Sequence, residues 1–446
     1  MLENNNNNGE LLFILRNLGY LPRDFCTESF FHLAKHENAD VRFWAIKNIG
    51  KNPDPNAIDL LGEISKTDRV SMVRREAVSS LGRMRLEQSQ GYLIHLLGDV
   101  DPKVVLQAIR GLLVFKADPS VRAALKDLSN HPNETIQSVI KREFSKTKHS
   151  STSVQPHVSC PNILKNLVVQ GDVREVLQFV PDESVHLTFT SPPYYNARDY
   201  SIYESYTAYL DFLDEVFQET HRITKEGRFL IVNTSPIIIP RVSRAHASKR
   251  YPIPFDLHNR LVGKGWEFVD DIVWLKPESS VKNRNAGFLQ HRKPLGYKPN
   301  PVTEYLMVYR KETDKLLDWN IHQYDREVVE RSKVKDDYET SNIWKIDPTF
   351  DKIHSAVFPI ELCNRVIKFY SYEFDLVFDP FGGSGTFGKA AINLKRYFFM
   401  TEQEPIYIER MKTILGQRTL FSNIETRFLK LDQFKMISEE HDDNNN

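Results

Sequence analysis

The sequence predicts two domains, an all-α helical-repeat domain followed by an α/β domain. Three observations support this prediction. The chain has 446 residues, which is too many for one ordinary hydrophobic core. A helical pattern recurs at a fixed interval over the first 150 residues, which is typical of stacked helix pairs. From about residue 163 onwards short apolar runs alternate with helical segments, which is typical of an α/β sheet.

Composition excludes several classes of protein. Lys plus Arg and Asp plus Glu both number 59, so any binding of nucleic acid has to come from local clusters of basic residues and not from net charge. No apolar run reaches membrane-spanning length, and the N-terminus lacks a signal-peptide pattern. The three cysteines are too far apart to form a disulfide framework or a zinc pattern: Cys26, Cys160 and Cys363. We therefore expect a soluble, cytoplasmic protein without a bound metal.

Residues 10–146 are predicted to form a HEAT-like helical repeat domain. Small residues recur in register at Ala45, Ala77 and Ala108, which lie 32 and 31 residues apart, and Val139 follows after another 31. A helix pair with this period cannot bury its apolar face alone, so it has to stack on its neighbours as a solenoid. An irregular helical bundle is the alternative, but it would not require this register. No residue of the region has a catalytic pattern.

Polar segments without periodicity mark the other boundaries. Residues 147–162 are predicted to be a linker, and residues 163–433 the α/β domain. The Asn-rich ends, residues 1–9 and 434–446, are predicted to be disordered tails.

The first candidate site is the segment 190–196, Thr-Ser-Pro-Pro-Tyr-Tyr-Asn. Residues 185–190 before it are predicted to form a strand, and two prolines end that strand because they cannot donate to a β-ladder. A hydroxyl, two carbonyl acceptors and an aromatic ring then follow one another, which are groups that a flat heterocycle with an NH₂ group requires. A surface turn is the alternative. The four residues are Ser191, Pro192, Pro193 and Tyr194.

The second candidate site is a strand–glycine loop–helix segment far downstream. Residues 374–379 are predicted to form a buried strand, residues 380–385 a tight turn and residues 386–394 a helix. Glycines in such a turn let the backbone approach a ligand and point free N–H groups at it. The next predicted strand, residues 397–401, ends at Glu402, a position where a carboxylate commonly holds a ribose.

The residues around this loop favour a ligand with a cationic end, a ribose and an adenine. The segment after Gly383 resembles a phosphate-binding loop, but Ala390 stands where that loop needs a hydroxyl to hold Mg²⁺. Asp379 suits an ammonium group and Glu402 suits a diol. S-adenosylmethionine has both groups.

The two segments together resemble the DNA amino-methyltransferases that act on N4 of cytosine or N6 of adenine. Thr-Ser-Pro-Pro-Tyr comes first and Phe-Asp-Pro-Phe-Gly-Gly-Ser-Gly-Thr last, which matches the permuted β group of that family. The resemblance covers about residues 163–425. It includes Gly171 and Asp172, placed before the first strand, a central strand at 227–232, the segment 271–277, and the segment 354–359, which resembles the start of an additional cofactor-binding helix. Glu404, close to Glu402, leaves the ribose partner open.

The resemblance implies a Rossmann-like methyltransferase sheet that uses S-adenosylmethionine. It also implies that the target base is flipped out of the duplex and stacks on Tyr194, while Ser191 and a proline carbonyl accept its amine hydrogens. Methylation at C5 of cytosine is excluded, because that family needs a cysteine after a proline and this chain has none. The implied cofactor-binding residues are Asp172, Phe358, Asp379, Phe381, Gly383, Gly385, Thr386 and Glu402.

Serine at the first position of the tetrapeptide favours N4 of cytosine, since the resembled family mostly uses aspartate there for N6 of adenine. Methylation of adenine N6 is the alternative. A repeat-scaffold protein with a degenerate nucleotide-binding module is a second alternative, which the intact motifs disfavour. An RNA or protein methyltransferase is a third.

Recognition of the DNA sequence is predicted within residues 235–345. Two basic stretches there are expected to contact phosphates and base edges, and the segment 311–345, with Trp319, His322, Tyr324 and Arg326, is a third candidate. We expect double-stranded DNA as partner at a prokaryotic nucleoid, and the repeats are candidates for docking a cognate restriction endonuclease or another protein. The residues predicted to bind DNA are Arg241, Arg244, Lys249, Arg250, Lys282, Arg284, Arg292 and Lys293.

Overall fold

The computed structural model describes residues 8–22, 25–144, 157–195, 203–239, 241–243, 245–246, 248–281, 293–297, 299–335, 338–349, 357–416 and 425–443. The chain divides into two compact units, Met1–His149 and Ser150–Asn446. None of the helices in these ranges combines the length and the apolar character that crossing a lipid bilayer requires.

The described part of the first unit is helical throughout. Its even-numbered helices pack in succession against one another, α2 on α4, α4 on α6 and α6 on α8. Ala45, Ala77 and Ala108 lie in three of these helices and are fully buried, whereas Val139 in the fourth is partly buried. The helices are α1 Asn8–Asn17, α2 Ala39–Ile49, α3 Ile58–Thr67, α4 Ser71–Met84, α5 Gln90–His95, α6 Pro102–Leu112, α7 Pro119–Asp127 and α8 Glu134–Phe144.

Small residues and repeated ion pairs explain this packing. A Cβ atom on Gly82 would lie 2.9 Å from the Cα of Gly111, so glycine lets α4 and α6 approach closely. In two successive repeats an arginine at the same position reaches the loop after the next helix: Arg42 pairs with Asp68 at 2.7 Å, and Arg74, 32 residues further on, pairs with Asp99 at 3.6 Å. The recurrence in the sequence thus corresponds to a recurrence of contacts.

The second unit is a nine-stranded sheet with the order β11–β1–β10–β9–β2–β3–β7–β6–β8 in the described residues. Its neighbours are parallel except that β7 runs antiparallel to β3 and β6; β4 and β5 form a separate antiparallel hairpin. The strands are β1 Leu167–Gln170, β2 Val185–Thr190, β3 Thr224–Thr234, β4 Ile237–Ile239, β5 Lys249–Tyr251, β6 Trp266–Leu275, β7 Thr303–Lys311, β8 Ile343–Lys345, β9 Leu376–Asp379, β10 Tyr397–Glu402 and β11 Arg427–Lys430.

Helices cover both faces of this sheet. One buried cluster joins the sheet to α14, α15 and α16, and two others join it to α9, α10, α11 and α17. The fold is therefore a three-layer α/β architecture, as predicted. The helices of the unit are α9 Val173–Leu177, α10 Tyr206–Ile223, α11 Ile253–Gly263, α12 Leu317–His322, α13 Arg326–Ser332, α14 Ile360–Tyr370, α15 Thr386–Asn393, α16 Pro405–Leu415 and α17 Leu431–Asp443.

The elements predicted around the two motifs form close to the predicted bounds. Strand β2 has the bounds predicted for it, and α15 and β10 differ from theirs by one residue at one end. Strand β9 starts two residues later than predicted, because Phe374 has a φ of 71° and cannot continue an extended strand.

Three boundary predictions are wrong. Gly171 and Asp172 follow the first strand, since β1 ends at Gln170. The predicted tail from residue 434 is helical in α17 up to residue 443, and Phe434 is fully buried in the core. The first helix starts at Asn8, inside the other predicted tail.

The predicted linker is packed in part. Among its residues, His157 packs edge-on against Trp319 with ring centres 4.6 Å apart. The polar composition of the linker and the tails gave no indication of such packing contacts. Residues 147–156 of the predicted linker lie outside the described residues.

The sheet order creates a crevice at one edge. Strand β9 lies between β10 and β2. From β9 the chain continues through α15 to β10 on one side, whereas from β2 it continues through α10 to β3 on the other side. In open α/β sheets such a switch point leaves a crevice at the carboxyl ends of the strands, where ligands bind.

Candidate active site

A cavity of about 340 Å³ lies at this switch point. Four parallel strands end at it, and the residues just after each strand form its wall. It brings together the two motifs, which are almost 190 residues apart in sequence. Its lining residues are Gly171, Asp172, Val173, Arg174, Ser191, Pro192, Pro193, Tyr194, Tyr203, Phe212, Phe358, Asp379, Pro380, Phe381, Gly382, Gly383, Ser384, Thr386, Phe387, Glu402, Gln403, Glu404 and Tyr407.

All the residues predicted for catalysis and cofactor binding line this cavity except Gly385. Gly385 instead caps the amino end of α15 with a φ of 80°, a left-handed conformation that favours glycine. Phe358 is fixed by stacking on Phe189 of β2, with ring centres 4.5 Å apart. Residues 354–356, predicted to lead into a cofactor-binding helix, lie outside the described residues.

Asp379 is the last residue of β9 and is 2% exposed. Its Oδ1 accepts hydrogen bonds from the Thr190 hydroxyl at 2.7 Å and from the backbone N–H of Phe381 at 3.0 Å. Burial raises the pKa of Asp379 to about 7, and the nearby Glu402 adds to the rise. A cation in the cavity would therefore be attracted to this carboxylate and would stabilise its ionised form.

Glu402 ends the neighbouring strand and is held by the backbone. Its Oε2 accepts the N–H of Gly383 at 2.8 Å and its Oε1 accepts the N–H of Glu404 at 2.9 Å. Burial raises the pKa of Glu402 above its usual value. Glu404 also lines the cavity, so the structure leaves both acids within reach of a ligand.

The expectation of free N–H groups in the glycine loop is wrong for two of its residues. The N–H of Gly383 donates to Glu402, and the N–H of Gly385 donates to the carbonyl of Gly382 at 2.9 Å. Both N–H groups thus form hydrogen bonds that fix the conformation of the loop, and the bond from Gly383 also positions Glu402. Gly383 itself has a φ of 51°, in the left-handed region. Glycine is needed here for conformation.

Asp172 caps α9 and forms a second charged wall of the cavity. Its side chain accepts from the N–H of Arg174 at 2.9 Å and from Nη2 of the same residue at 2.8 Å. Burial alone would raise the pKa of Asp172, but these hydrogen bonds lower it. Arg174 also pairs with Glu215 and lies over the ring of Phe212.

Ser191 and Tyr194 contact a polar cluster that the sequence analysis missed. Asn233 Nδ2 lies 3.3 Å from Ser191 Oγ and 2.6 Å from Oε2 of Glu304, and the Tyr194 hydroxyl donates to the same oxygen at 3.3 Å. Lys276 forms an ion pair with Glu304. Burial raises the pKa of Tyr194 above its usual range, and the charge of Glu304 adds to this. These partners come from β3, β7 and the end of β6, so no local pattern identified them.

Four of the residues predicted to bind DNA can be located, and all four are exposed: Arg241, Lys249, Arg250 and Lys293. Lys249 and Arg250 lie on β5 opposite β4, which follows β3 at the cavity edge. The remaining predicted residues lie outside the described part of the chain: Arg244, Lys282, Arg284 and Arg292.

An aromatic contact ties the β4–β5 hairpin to the first motif. Tyr251 of β5 packs against Tyr195, the residue after Tyr194, with ring centres 5.2 Å apart, and against Tyr206 at 4.4 Å. The segment that holds Lys293 joins the end of β6 to the start of β7, and β7 starts opposite the carboxyl end of β3. Both basic stretches are therefore anchored at the edge of the sheet where the cavity lies.

Part of the third candidate segment lies elsewhere. The Tyr324 hydroxyl donates to Asp375 at 2.5 Å, just before the start of β9, and Trp319 packs on His157. These rings are at the amino ends of the strands, opposite to the cavity. The structure thus separates Trp319 and Tyr324 from the candidate site.

The donor set fits S-adenosylmethionine. The buried carboxylate at the end of β9 suits its ammonium group, the half-buried carboxylate of Glu402 at the end of β10 suits its ribose hydroxyls, and aromatic rings also line the cavity. The sheet order and this cavity define the class of protein as an S-adenosylmethionine-dependent methyltransferase.

Comparison with known families identifies the particular family. The sequence profile of the DNA methylase family of N6 and N4 amino-methylases matches residues 185–413, which is just over half of the chain, and a profile of HEAT repeats matches residues 2–82. The chain belongs to the DNA methylase family, with HEAT repeats at its N-terminus. It is a DNA methyltransferase, and S-adenosylmethionine is its cofactor.

Similar proteins include several bacterial methyltransferases. The type II methyltransferase M.Cfr9I of Citrobacter freundii is 29% identical over 300 residues, covering 59% of this chain and 93% of M.Cfr9I. The type II beta methyltransferase M.BslI of Bacillus sp. is 27% identical over 276 residues, covering 59% of this chain but only 29% of M.BslI. The chain thus spans less than a third of the length of M.BslI.

Two solved structures of DNA methylases are similar to this chain over about 60% of its length. The S-adenosyl-L-methionine complex of TTHA0409 from Thermus thermophilus has 26% identity and a TM-score of 0.45, covering 58% of this chain and 98% of that one. The cytosine-N4-specific PvuII DNA methyltransferase has 19% identity and a TM-score of 0.43, covering 62% and 98%.

Proposed function

We propose that this protein transfers a methyl group from S-adenosylmethionine to the exocyclic N4 amine of cytosine within a specific sequence of double-stranded DNA. The observation that supports cytosine is the neutral hydroxyl of Ser191 at the first position of the Ser-Pro-Pro-Tyr segment. This hydroxyl receives a hydrogen bond from Asn233, so its own hydrogen is not donated to Asn233 and can be donated to a substrate acceptor. Cytosine offers N3 beside its amine and adenine offers N1, so the choice of cytosine rests on the serine itself, which the resembled family mostly pairs with N4 of cytosine.

The first motif holds the amine. In the proposal, Ser191 Oγ and a carbonyl of Pro192 or Pro193 accept the two amine hydrogens, which favours the pyramidal geometry in which the nitrogen lone pair can react. Tyr194 stacks on the base after it has left the duplex. S-adenosylmethionine, when bound, supplies the electrophilic methyl group. Holding both reactants in line lowers the barrier by as much as roughly 7–11 kcal/mol in well-oriented systems.

The second motif and the neighbouring strand ends hold the cofactor. In the proposal, Asp379 faces the ammonium group, Glu402 faces the ribose hydroxyls, and Phe358 and Phe381 contact the adenine. Asp172 closes the far wall through its bonds with Arg174. Gly383, Gly385 and Thr386 shape the loop that presents these groups.

The basic stretches at the cavity edge are proposed to bind the duplex. Arg241, Lys249 and Arg250 extend from the end of β3, and Lys293 lies between β6 and β7. These basic side chains are exposed, and few acidic residues lie near them in the sequence. They therefore suit contacts with phosphates, which position the DNA without reading its sequence. Base-edge contacts from the same loops would then select the target site.

The repeat region is proposed to be a separate docking domain, spanning residues 10–146, for DNA or for a protein such as a cognate restriction endonuclease. The names of M.Cfr9I and M.BslI, both type II methyltransferases, support a place in a restriction-modification system. The solenoid surface is extended, and such surfaces commonly bind partners.

Mapping of modified bases tests this proposal. Genomic DNA from cells that express the protein is sequenced at base resolution for methylation, and the digested nucleosides are identified by mass spectrometry. We expect N4-methylcytosine at one recurring sequence. N6-methyladenine would replace the base assignment by the second candidate, 5-methylcytosine would overturn the mechanism, and the absence of any methylated base in DNA would overturn the function.

A further inference from the structure

The polar cluster behind Ser191 has a centre, which is Glu304 at the start of β7. Its carboxylate accepts from Asn233 Nδ2 at 2.6 Å and from the Tyr194 hydroxyl at 3.3 Å, and it forms an ion pair with Lys276. Neither Glu304 nor Asn233 is among the residues that line the cavity. Ser191 and Tyr194, which do line the cavity, lie between it and these two residues, so we expect Glu304 to influence the reaction through its neighbours.

Glu304 determines which way the amide of Asn233 points. A carboxylate accepts hydrogen bonds but cannot donate them, so the Asn233 atom 2.6 Å away has to be the NH₂ group. The same nitrogen lies 3.3 Å from Ser191 Oγ. Asn233 is 2% exposed, and its Oδ1 is buried without a partner among the described residues. The amide orientation is thus imposed by the carboxylate, although it leaves the amide oxygen unsatisfied.

This orientation decides what the Ser191 hydroxyl is able to do. A hydroxyl oxygen has one hydrogen to donate and two positions that accept. The Asn233 NH₂ group donates to one of the accepting positions, so Ser191 does not donate its hydrogen to Asn233. One accepting position remains for a substrate amine. The Ser191 hydrogen, which can reach the Tyr194 oxygen before a base is bound, is then available to an acceptor next to that amine. A hydroxyl that accepts a hydrogen bond is also the stronger donor, because hydrogen bonds in a chain polarise one another.

We propose that Glu304 is a positioning residue that acts through Asn233 to direct the Ser191 hydroxyl hydrogen onto the ring nitrogen beside the reacting amine of the flipped base. The inference rests on the proposed function and deepens it. The ring nitrogen is N3 in cytosine and N1 in adenine, so the inference is independent of which base is methylated. It makes this ring nitrogen a group that the enzyme requires.

The test combines a protein change with a change of the base. The full-length protein is assayed on a duplex carrying the mapped target sequence, with either the natural target base or its analogue without the ring nitrogen, 3-deazacytosine for cytosine and 1-deazaadenine for adenine. In Glu304→Gln the new NH₂ group faces Asn233, so the Asn233 amide turns over and its Oδ1 takes the Ser191 hydrogen. The turnover number, the KM for DNA and the affinity for S-adenosylmethionine are measured for each combination.

We expect Glu304→Gln to lower kcat on the natural duplex by up to about tenfold, the scale for losing one hydrogen bond between uncharged groups. The affinity for S-adenosylmethionine should stay unchanged. On the deaza duplex the wild-type protein should already be slow, and the variant should be no slower. Glu304→Gln should likewise add no further loss to Ser191→Ala, because both remove the same interaction. The matched control is Glu312→Gln, an exposed glutamate just beyond the other end of β7, which should behave as wild type.

A merely structural role gives a different pattern. An equal fold loss from Glu304→Gln on the natural and the deaza duplex, or an additive loss with Ser191→Ala, would overturn the inference. If Glu304→Gln fails to fold, Asn233→Leu removes the same donor without a charge and has to meet the same two expectations. A wild-type protein that methylates neither cytosine nor adenine would instead contradict the proposed function, so the two failures can be told apart.

Discussion

Two aspartates at opposite ends of strand β9 meet opposite environments. Asp375 lies just before the strand and Asp379 is its last residue; they are 0% and 2% exposed. Asp375 pairs with Arg228 and accepts from the Tyr324 hydroxyl and from the N–H of Tyr372. Burial alone would raise the pKa of Asp375, but Arg228 and its other partners lower it.

At the other end of the strand the carboxylate has no such compensation from the described residues. The hydrogen bonds that Asp379 accepts come from neutral donors, Thr190 and the N–H of Phe381, and the neighbouring charge is that of Glu402. Its pKa is therefore raised to about 7. A buried acid that a protein cation neutralises is costly to remove because the cation is left unpaired, whereas one that lacks a protein cation is suited to binding a cationic ligand.

The largest effect is expected from Asp375→Asn. Removing this charge leaves Arg228 buried without its anion, and breaking a buried ion pair costs about 3–5 kcal/mol. We expect the free energy of unfolding in urea to fall by this amount, while the folded fraction still binds S-adenosylmethionine. An unchanged free energy of unfolding would show that the ion pair of Asp375 with Arg228 does not contribute to stability, and would contradict the contrast with Asp379.

The same substitution at the other end, Asp379→Asn, should act on binding instead. Asparagine retains acceptors for Thr190 and Phe381 but loses the charge that faces the ammonium group. We expect the affinity for S-adenosylmethionine to fall about a hundredfold, or about 2.7 kcal/mol, with no loss of stability in the cofactor-free protein. Calorimetric titration measures the first and urea unfolding the second. Wild-type affinity in this variant would remove Asp379 from the cofactor site.

The raised pKa predicts a pH dependence for cofactor binding. Asp379 has to be ionised to bind an ammonium group, so the affinity should fall about tenfold for each pH unit below about 7. The folded state holds this proton more tightly than the unfolded state, whose aspartate has the ordinary pKa of 3.8. The contribution of Asp379 to stability is therefore present at low pH and is lost as the pH rises through about 7. Comparison with Asp379→Asn isolates both effects, and an identical pH profile in the two proteins would contradict the assignment.

The smallest effect is expected from removing the repeats. Both ends of β9 belong to the second unit, so a protein consisting of residues 155–446 should keep its affinity for S-adenosylmethionine within a few-fold and retain some methyl transfer, as expected of an independent domain. Insolubility, or loss of cofactor binding, would show instead that the two units share one core.

The site motifs were predictable because their signals are local. Two prolines end β2 at the predicted residue, and the glycines after β9 adopt the conformations that their sequence suggests, with φ of 51° and 80° at Gly383 and Gly385. The repeats were predictable for the same reason, since small residues at a fixed spacing mark the places where helices approach. Recognition of the family then linked the two motifs to one site.

Other parts of the site could not be predicted. Asn233 and Glu304 lie beside Ser191 because β3 and β7 are antiparallel neighbours, which no pattern in either strand indicates. The glycine loop was predicted to offer free N–H groups, but at Gly383 the fold uses the group to hold Glu402. The Asn-rich end predicts a tail from residue 434, but the packing of Phe434 into the core places this part of the chain in a helix.

The sequence by itself determined the elements and the chemical groups that they carry, because strand, turn and helix preferences depend on a few neighbouring residues. It did not distinguish Asp375 from Asp379, since both border the same run of three apolar residues, 376–378. Only the tertiary structure brings Arg228, 147 residues away in sequence, to Asp375. The same folding leaves Asp379 among neutral donors at the cavity. The electrostatic energy of a buried carboxylate depends on which charges lie within a few ångströms, and that is decided by the packing of distant segments.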